Sequence, residues 1–232
     1  MGTLQGRDII LAGGAGGLGS AAAALLAAEG ANLVLSYRVN RERAGSFRTI
    51  QADLAREGDR RALLDSVSEP YGLVILTGDP ARGSNLADTL PRSFEVNFQG
   101  PVLLAREAAE RMKARGTAGS IVFLGTMQTT AVFPNSTAYA AQKAALVHAA
   151  RVLAKETRGP ANIRVNVVNP GVTVAGMAKT SVASGKYERY LAEGAIHRYG
   201  TAADIARAIR FLLEPDNYIT GQVLTVDGGL TL

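Results

Sequence analysis

Tyr139 and Lys143 stand four residues apart in the segment STAYAAQK, and this pair carries the most informative chemistry of the chain. In a helix, that spacing places the phenol and the ammonium group on one face, within reach of each other. A nearby ammonium group stabilises phenolate and lowers the pKa of a tyrosine, so the pair predicts proton transfer near neutral pH. The alternative interpretation is a half-buried tyrosine and a solvated lysine on an amphipathic helix. Thr126 lies one strand-to-helix connection upstream.

A glycine-rich turn follows the first apolar run of the chain, and an alanine-rich segment follows the turn. Glycine lets the backbone turn sharply and approach a phosphate group, and the start of a helix offers free N–H groups. A strand, a turn and a helix in this order are typical of a dinucleotide site, although a glycine-rich string alone also occurs as a flexible turn. The candidate cofactor-binding residues of this turn are Gly13, Ala15, Gly16, Gly17, Leu18 and Gly19.

The end of the second predicted strand distinguishes between two nicotinamide cofactors. Dinucleotide-binding folds use an acidic residue here to hold the ribose of NAD, whereas an arginine accommodates the 2′-phosphate of NADP. Tyr37 and Arg38 occupy this point, and the next acidic residue is Glu42, so the sequence predicts NADP(H). After the third strand, Asp53 and Leu54 are further candidates. The carboxylate of Asp53 either approaches the adenine or caps the next helix, and both roles are compatible.

Predicted strands and helices alternate along the whole chain. Several strands are continuous apolar runs, as expected when helices cover both faces of a parallel sheet. The pattern predicts one α/β domain over residues 1–232, a Rossmann fold with a doubly wound parallel sheet of about seven strands and helices on both faces. The strands are expected at 8–12, 32–37, 47–52, 72–77, 120–125, 162–168 and 222–226, and the helices at 17–29, 54–67, 98–114, 136–158 and 202–213.

Composition excludes several other classes of protein. The chain has 232 residues, of which 47% are hydrophobic and 19% are charged, as in an ordinary soluble domain. It has no cysteine, so disulfides, thiolate metal sites and cysteine nucleophiles are excluded, and no metal site is predicted. The net charge of +5 comes from scattered basic residues without interleaved aromatics, which favours an anionic ligand over nucleic acid. Glycines interrupt the apolar stretch 9–35, and no secretory signal is visible, so we expect a cytoplasmic protein without a membrane span.

The glycine turn, the Tyr139 and Lys143 pair and the alternating pattern together resemble the classical short-chain dehydrogenase/reductase family over nearly the whole chain. Residues 196–213 and the segment YITGQVLTVDGG, residues 218–229, are similar to its 3-oxoacyl-[acyl-carrier-protein] reductase branch. The resemblance implies that Tyr139 exchanges a proton with a carbonyl oxygen and that Lys143 holds the nicotinamide ribose. It also implies that Asn97 supports a proton relay and that Thr126 stands where the family has a catalytic serine.

The same resemblance implies further contacts with the cofactor and a mobile lid over residues 172–195. A family threonine that bonds the nicotinamide carboxamide aligns with Ala175, and Thr173 or Thr180 is the candidate substitute. The family's NNAG segment reads ILTG here, without the bracing asparagines. The cofactor-binding residues implied by these matches are Thr77, Gly78, Lys143, Pro170, Gly171, Val172 and Thr173.

The predicted function is therefore NADP(H)-dependent reduction of a ketone to a secondary alcohol, with a 3-oxoacyl thioester as the expected substrate. A sugar, polyol or secondary alcohol dehydrogenase is the alternative on the same machinery. A nucleotide-binding protein with weak catalysis, serving as a redox sensor or partner subunit, is an alternative of another class. The resemblance also implies a homotetramer or dimer, and Arg115 and Arg158 are candidate contacts for an acidic acyl-carrier protein.

Overall fold

The computed structural model describes residues 3–83 and 85–232, and its centre is a sheet of seven parallel strands. The strand order is β3-β2-β1-β4-β5-β6-β7, so the predicted doubly wound Rossmann fold is confirmed. The strands are β1 Asp8–Ala12, β2 Asn32–Tyr37, β3 Arg48–Gln51, β4 Gly72–Ile75, β5 Gly119–Leu124, β6 Ile163–Pro170 and β7 Val223–Val226.

Helices cover both faces of this sheet. The helices are α1 Gly17–Ala28, α2 Glu57–Leu64, α3 Leu86–Phe94, α4 Gly100–Arg115, α5 Thr137–Glu156, α6 Lys179–Ala183, α7 Glu188–Ala192 and α8 Ala202–Leu213. Leucine and alanine side chains of α2, α4 and α5 form a core with one face of the sheet, and those of α1 and α8 form a second core with the other. The central strands are buried on both sides, which explains their continuous apolar sequences. Within the described ranges, no helix is both long and apolar enough to cross a membrane.

The strand order creates the place for a ligand. Strand β1 pairs with β2 on one side and with β4 on the other, so the chain leaves β1 and β4 in opposite directions. In open parallel sheets, ligands bind at the carboxyl ends of the strands beside such a reversal. The glycine turn after β1 and the segment after β4 both lie at this point.

Two differences from the predicted elements concern the functional edge. Residues 78–97 were expected to have no helix, but they contain α3 and then a turn of π-helix at Glu95–Gln99. Pro91 lies inside α3, and a proline in a helix removes a backbone hydrogen bond, which hid the helix from sequence reasoning. The second difference is the start of α2, which begins at Glu57 with Arg56 as its N-cap, so Asp53 does not cap it.

Candidate active site

Two adjoining clefts open at the carboxyl edge of the sheet. The first has a volume of about 540 Å³ and runs from the glycine turn to the ends of β2 and β4. The second has a volume of about 600 Å³ and lies between β5, β6 and the segment after β6. Leu18, Leu124 and Met177 line both clefts, so the two clefts meet at these three side chains. The predicted cofactor-binding residues in the first cleft are Gly13, Ala15, Gly16, Gly17, Leu18, Gly19, Tyr37, Arg38, Asp53, Leu54, Thr77 and Gly78.

The glycine turn of the first cleft forms an anion-binding shape. Gly13 has a φ of +79°, which favours glycine, and its N–H donates a hydrogen bond of 2.9 Å to the hydroxyl oxygen of Ser36 at the end of β2. Helix α1 begins at Gly17 without a capping side chain and without an acidic residue in its first turn. Its free N–H groups and the positive end of its dipole therefore face the cleft. A phosphate group suits this position.

The far end of the first cleft is basic. Arg38, Asn40 and Arg43 line it, and Asp53 is the one acidic residue of the lining. The carboxylate of Asp53 accepts a hydrogen bond of 3.1 Å from the N–H of Ala55, which shapes the turn after β3. Arg41, which lies between Arg38 and Arg43 in the sequence, does not line the cleft.

Thr77 and Gly78 form the inner wall of the first cleft, after β4. The hydroxyl oxygen of Thr77 is buried and has no hydrogen-bond partner among residues 3–83 and 85–232. A buried hydroxyl that lacks a partner is costly, and a polar group of a ligand would satisfy it. The residues of this cleft thus fit a dinucleotide at two points, because α1 presents a phosphate site and Thr77 presents an unused hydroxyl.

Lys143 lies beneath the clefts and is only 2% exposed. Its ammonium group donates hydrogen bonds of 2.8 Å to the carbonyl oxygen of Leu124 and 3.2 Å to that of Thr77. Helix α5 thus ties the carboxyl ends of β4 and β5 together. Burial lowers the pKa of Lys143 to about 7.

Asn97 is fully buried in the π-helical turn between α3 and α4. Its amide oxygen accepts a hydrogen bond of 2.9 Å from the N–H of Asp79, and its amide nitrogen donates one of 2.9 Å to the Asp79 carbonyl oxygen. The same nitrogen donates to the hydroxyl of Ser93, which in turn donates to the carbonyl oxygen of Ala138 in α5. Asn97 therefore braces the segment after β4, where the family's asparagines are missing.

Thr126 and Tyr139 bring two hydroxyl groups together in the second cleft. The N–H of Thr126 donates a hydrogen bond of 3.0 Å to the amide oxygen of Asn169, at the end of β6. The amide nitrogen of Asn169 donates one of 2.7 Å to the hydroxyl of Thr129. A side chain at Gly125 would overlap the Asn169 amide, so glycine is required there. The turn after β5 is thus fixed from β6.

Burial raises the pKa of Tyr139 to about 12, and the nearby hydroxyl of Thr126 opposes the rise only partly. The prediction that the ammonium group of Lys143 lowers this pKa is therefore wrong for this structure. Spacing correctly placed both residues on α5, but the ammonium group is directed to two backbone carbonyls and burial dominates the titration of the phenol. A phenol with a raised pKa holds its proton at neutral pH and is a proton donor.

The segment after β6 closes over both clefts. It includes the predicted lid, residues 172–195, and contains α6 and α7. A β-carbon on Gly17 would lie 2.7 Å from the nitrogen of Gly176, so this segment rests directly on the glycine turn. Tyr187 is 8% exposed and packs with Met127 and Val172 at the base of the second cleft.

The remaining predicted residues separate into two groups. Pro170, Gly171, Val172 and Thr173 line the second cleft rather than the first. The hydroxyl of Thr173 donates a hydrogen bond of 3.2 Å to the carbonyl oxygen of Gly171. Thr180, Arg115 and Arg158 line neither cleft.

Sequence reasoning missed several residues of the site. Ser36 supports the glycine turn, and Gln128 has a buried amide oxygen in the second cleft with no partner in the part of the chain that the structure describes. The cluster of arginines after β2 was a usable signal for Arg43. No local signal marks the lid residues, because their positions depend on how the segment after β6 folds back. The other missed residues with polar or charged side chains are Asn40, Arg82, Asn135, Ser136, Ser181, Lys186, Tyr187, Arg189 and Tyr190.

Comparison with known proteins agrees with this geometry. A solved short-chain type dehydrogenase/reductase from Mycobacterium ulcerans superposes with a TM-score of 0.90 at 25% identity, over 98% of this chain and 90% of that one. A family model described as enoyl-(acyl carrier protein) reductase matches residues 13–231. The chain belongs to the short-chain dehydrogenase/reductase family.

Two relatives in the short-chain dehydrogenase/reductase family are similar over nearly their whole length. The 3-oxoacyl-[acyl-carrier-protein] reductase of Rattus norvegicus is 34% identical over 95% of this chain and 96% of that protein. The NADPH-dependent aldehyde reductase 2, chloroplastic, of Arabidopsis thaliana is 30% identical over 99% of this chain and 95% of that protein. The predicted family is confirmed, and with it an oxidoreductase fold for a nicotinamide dinucleotide.

Proposed function

We propose that this chain is an NADP(H)-dependent enzyme that reduces a ketone to a secondary alcohol, with a 3-oxoacyl thioester or a related β-keto compound as substrate. The observation that carries the proposal is the position of the Thr126 and Tyr139 hydroxyls, which stand together in a cleft directly beside the dinucleotide-shaped one. The two relatives named above are a 3-oxoacyl reductase and an aldehyde reductase, which supports a carbonyl as the reacting group.

The residues of the chain divide the work of such a reduction. When bound in the first cleft, a reduced nicotinamide supplies hydride to the carbonyl carbon. Tyr139 keeps its proton at neutral pH and donates it to the carbonyl oxygen. Thr126 donates a hydrogen bond to the same oxygen and polarises the carbonyl. Lys143 and Asn97 hold the carboxyl ends of β4 and β5 in place and would position the nicotinamide ribose.

The choice of NADP(H) rests on charge. Arg38 and Arg43 line the end of the first cleft, where the adenine ribose of a dinucleotide binds in this fold. Asp53 lies in the turn after β3, so no carboxylate of the β2 end itself lines the cleft. An arginine pair suits the 2′-phosphate of NADP, whereas the ribose hydroxyls of NAD would find no acidic acceptor at β2.

The decisive experiment follows NADPH absorbance in the presence of acetoacetyl-CoA and a panel of simpler ketones. We expect oxidation by the wild-type protein and the loss of nearly all turnover in Tyr139→Phe, because the proton donor is removed. Calorimetry should show that Tyr139→Phe still binds NADPH with nearly unchanged affinity. Wild-type protein that binds NADPH tightly but oxidises it with no ketone would overturn the proposal, and retained turnover in Tyr139→Phe would refute the role of the phenol.

A further inference from the structure

The mouth of the second cleft carries a positive charge that the reduction itself does not use. Three cationic side chains, Arg82, Lys186 and Arg189, belong to its lining, and among residues 3–83 and 85–232 no aspartate or glutamate does. Arg82 lies in the segment after β4, and the other two lie in the segment after β6. The cations therefore reach the mouth from two sides.

The two sides are in contact. The guanidinium group of Arg82 donates a hydrogen bond of 3.3 Å to the hydroxyl oxygen of Ser181, in α6. Lys186 stands over the ring of Tyr187 at 5.6 Å, and Arg189 stands over the ring of Tyr190 at 4.7 Å. Aromatic faces hold a cation without neutralising it.

None of these three side chains forms an ion pair within the described part of the chain, and Glu188 is the carboxylate nearest to Lys186 and Arg189 in the sequence. None of them lies within 4.0 Å of a carboxylate oxygen, and Glu193 acts on Arg189 only from beyond that distance. Two arginines outside the cleft behave differently, since Arg198 and Arg207 both pair with Asp204. Uncompensated cations around a cleft raise the local concentration of anions.

The cations line the same cleft as the reacting groups Thr126 and Tyr139. Tyr187, whose ring carries Lys186, belongs to this lining as well. Met127, Val172 and Phe133 give the cleft an apolar cluster. A substrate that fits this cleft has a carbonyl at one end, a short carbon skeleton, and a negative charge at the other end.

We propose that the substrate carries an anionic group, a carboxylate or a phosphate, and that Arg82, Lys186 and Arg189 bind this group at the mouth of the second cleft. This inference rests on the proposed carbonyl reduction and narrows its substrate class. It predicts that the enzyme prefers a charged oxo compound to the neutral ketones that the same catalytic groups would otherwise accept.

Matched pairs of substrates test the inference. Each pair shares a reacting carbonyl and differs in charge: acetoacetate and ethyl acetoacetate, dihydroxyacetone phosphate and dihydroxyacetone, and acetoacetyl-CoA and acetoacetyl-N-acetylcysteamine. With NADPH, we expect the anionic member of at least one pair to have a kcat/KM about tenfold or more above its neutral partner, and rising salt should reduce this ratio. A preference for the anion in the first pair indicates a carboxylate, and in the second pair a phosphate near the carbonyl. A preference in the third pair indicates a phosphate far from the carbonyl.

Variants that remove one positive charge test whether the preference for anionic substrates arises at the mouth of the second cleft. Arg82→Gln and Arg189→Gln should each reduce the ratio by about tenfold, mainly through the KM of the anionic substrate. Arg48→Gln is the matched control, because Arg48 is an exposed arginine at the start of β3 that lines neither cleft, and it should leave the ratio unchanged. Equal kcat/KM values within all three pairs would overturn the inference, and so would a ratio that stays unchanged when Arg82→Gln and Arg189→Gln are combined. Neither result would affect the proposed carbonyl reduction.

Failure of the reaction itself gives a different result. If no compound of the panel is turned over, the proposed reduction is wrong, and calorimetry on the NADP-loaded protein then decides the anion site separately. Binding of acetoacetate or dihydroxyacetone phosphate that Arg82→Gln weakens about tenfold would support the site, and the absence of binding would refute it.

Discussion

At the scale of single residues, burial decides the chemistry of the catalytic pair. It raises the pKa of Tyr139 to about 12 and lowers that of Lys143 to about 7, so both groups are driven towards their neutral forms. A neutral phenol is the form that donates a proton to a carbonyl oxygen, as reduction of a ketone requires. The sequence predicted the shared helix face of the two residues. It did not predict the direction of the titration, because burial depends on strands that are distant in sequence.

The buried ammonium group of Lys143 should destabilise the folded protein at neutral pH. Its pKa is about 7 in the folded state and 10.5 in the unfolded chain, so only the unfolded chain keeps the proton between these values. The resulting loss of stability of the folded protein is present in full below pH 7 and disappears as the pH rises towards 10.5. Lys143→Met removes this destabilisation but leaves two carbonyl oxygens without their donor. The free energy of unfolding at pH 7 should therefore rise by about 2 kcal/mol in the variant.

Urea unfolding at several pH values measures this effect at a fixed protein concentration, without cofactor. The difference between Lys143→Met and wild type should shrink steadily from pH 7 to pH 10. A variant that is less stable than wild type throughout, or a difference that does not change with pH, contradicts the assignment of a buried charge.

The hydroxyl of Thr126 should matter more than its methyl group. Thr126→Val keeps the shape of the side chain but removes the donor to the carbonyl oxygen, so kcat should fall about 100-fold. Thr126→Ser restores the hydroxyl and should retain most of the activity. Steady-state kinetics with acetoacetyl-CoA compare the three proteins, and a Val variant as active as the Ser variant would remove Thr126 from the catalytic groups.

At the scale of elements, the site depends on supports that have no sequence pattern of their own. Asn97 braces the segment after β4 from a π-helical turn, and Asn169 fixes the turn after β5 from the end of β6. The seven strands and five main helices were predictable because their apolar periodicity is local. Helix α3 and the helices after β6 were not, since Pro91 interrupts the first and tertiary contacts determine the others.

The contact between Gly125 and Asn169 predicts a sensitive position. In Gly125→Ala, the new methyl group would displace the Asn169 amide and with it the turn that carries Thr126. We expect a loss of about 1–3 kcal/mol in the free energy of unfolding, together with a loss of turnover.

Gly58→Ala is the control for this change. Gly58 lies in α2, and a β-carbon there would meet no atom within 4 Å. Alanine reduces the entropy of the unfolded chain, so this variant should gain about 0.5 kcal/mol and keep its activity. Chemical denaturation measures the free energy of unfolding of both variants. Equal stabilities of Gly125→Ala and Gly58→Ala would show that the Asn169 contact does not constrain the fold.

At the scale of the whole molecule, one edge of one sheet collects every group of the site. The glycine turn, the ends of β2, β4, β5 and β6, and helix α5 meet there from points spread over most of the chain. The alternating pattern predicted the parallel sheet, whereas the position of the reversal at β1 became clear only from the strand order. The division into two clefts was not predictable, because Pro170 to Thr173 turn towards the second cleft only through the packing of the segment after β6.

Because the cofactor would contact so much of this edge, it should stabilise the whole fold. A ligand at a hundred times its Kd adds about 2.7 kcal/mol to the free energy of unfolding. We therefore expect NADPH to raise the Tm clearly more than NADH does at equal concentration, owing to the basic end of the first cleft. Differential scanning fluorimetry of wild type and Arg38→Ala measures the difference between the Tm increases caused by NADPH and by NADH. This difference should be smaller in the variant. An equal shift with both cofactors in wild type argues against NADP(H).

The junction of the two clefts has a kinetic consequence. A dinucleotide in the first cleft would lie against Leu18, Leu124 and Met177, which also line the second cleft. Hydride transfer requires direct contact between the two reactants, so the bound nicotinamide would itself form part of the surface that the carbonyl compound meets. This arrangement favours a compulsory order, in which the dinucleotide arrives first and leaves last, and the carbonyl compound comes and goes while it is in place.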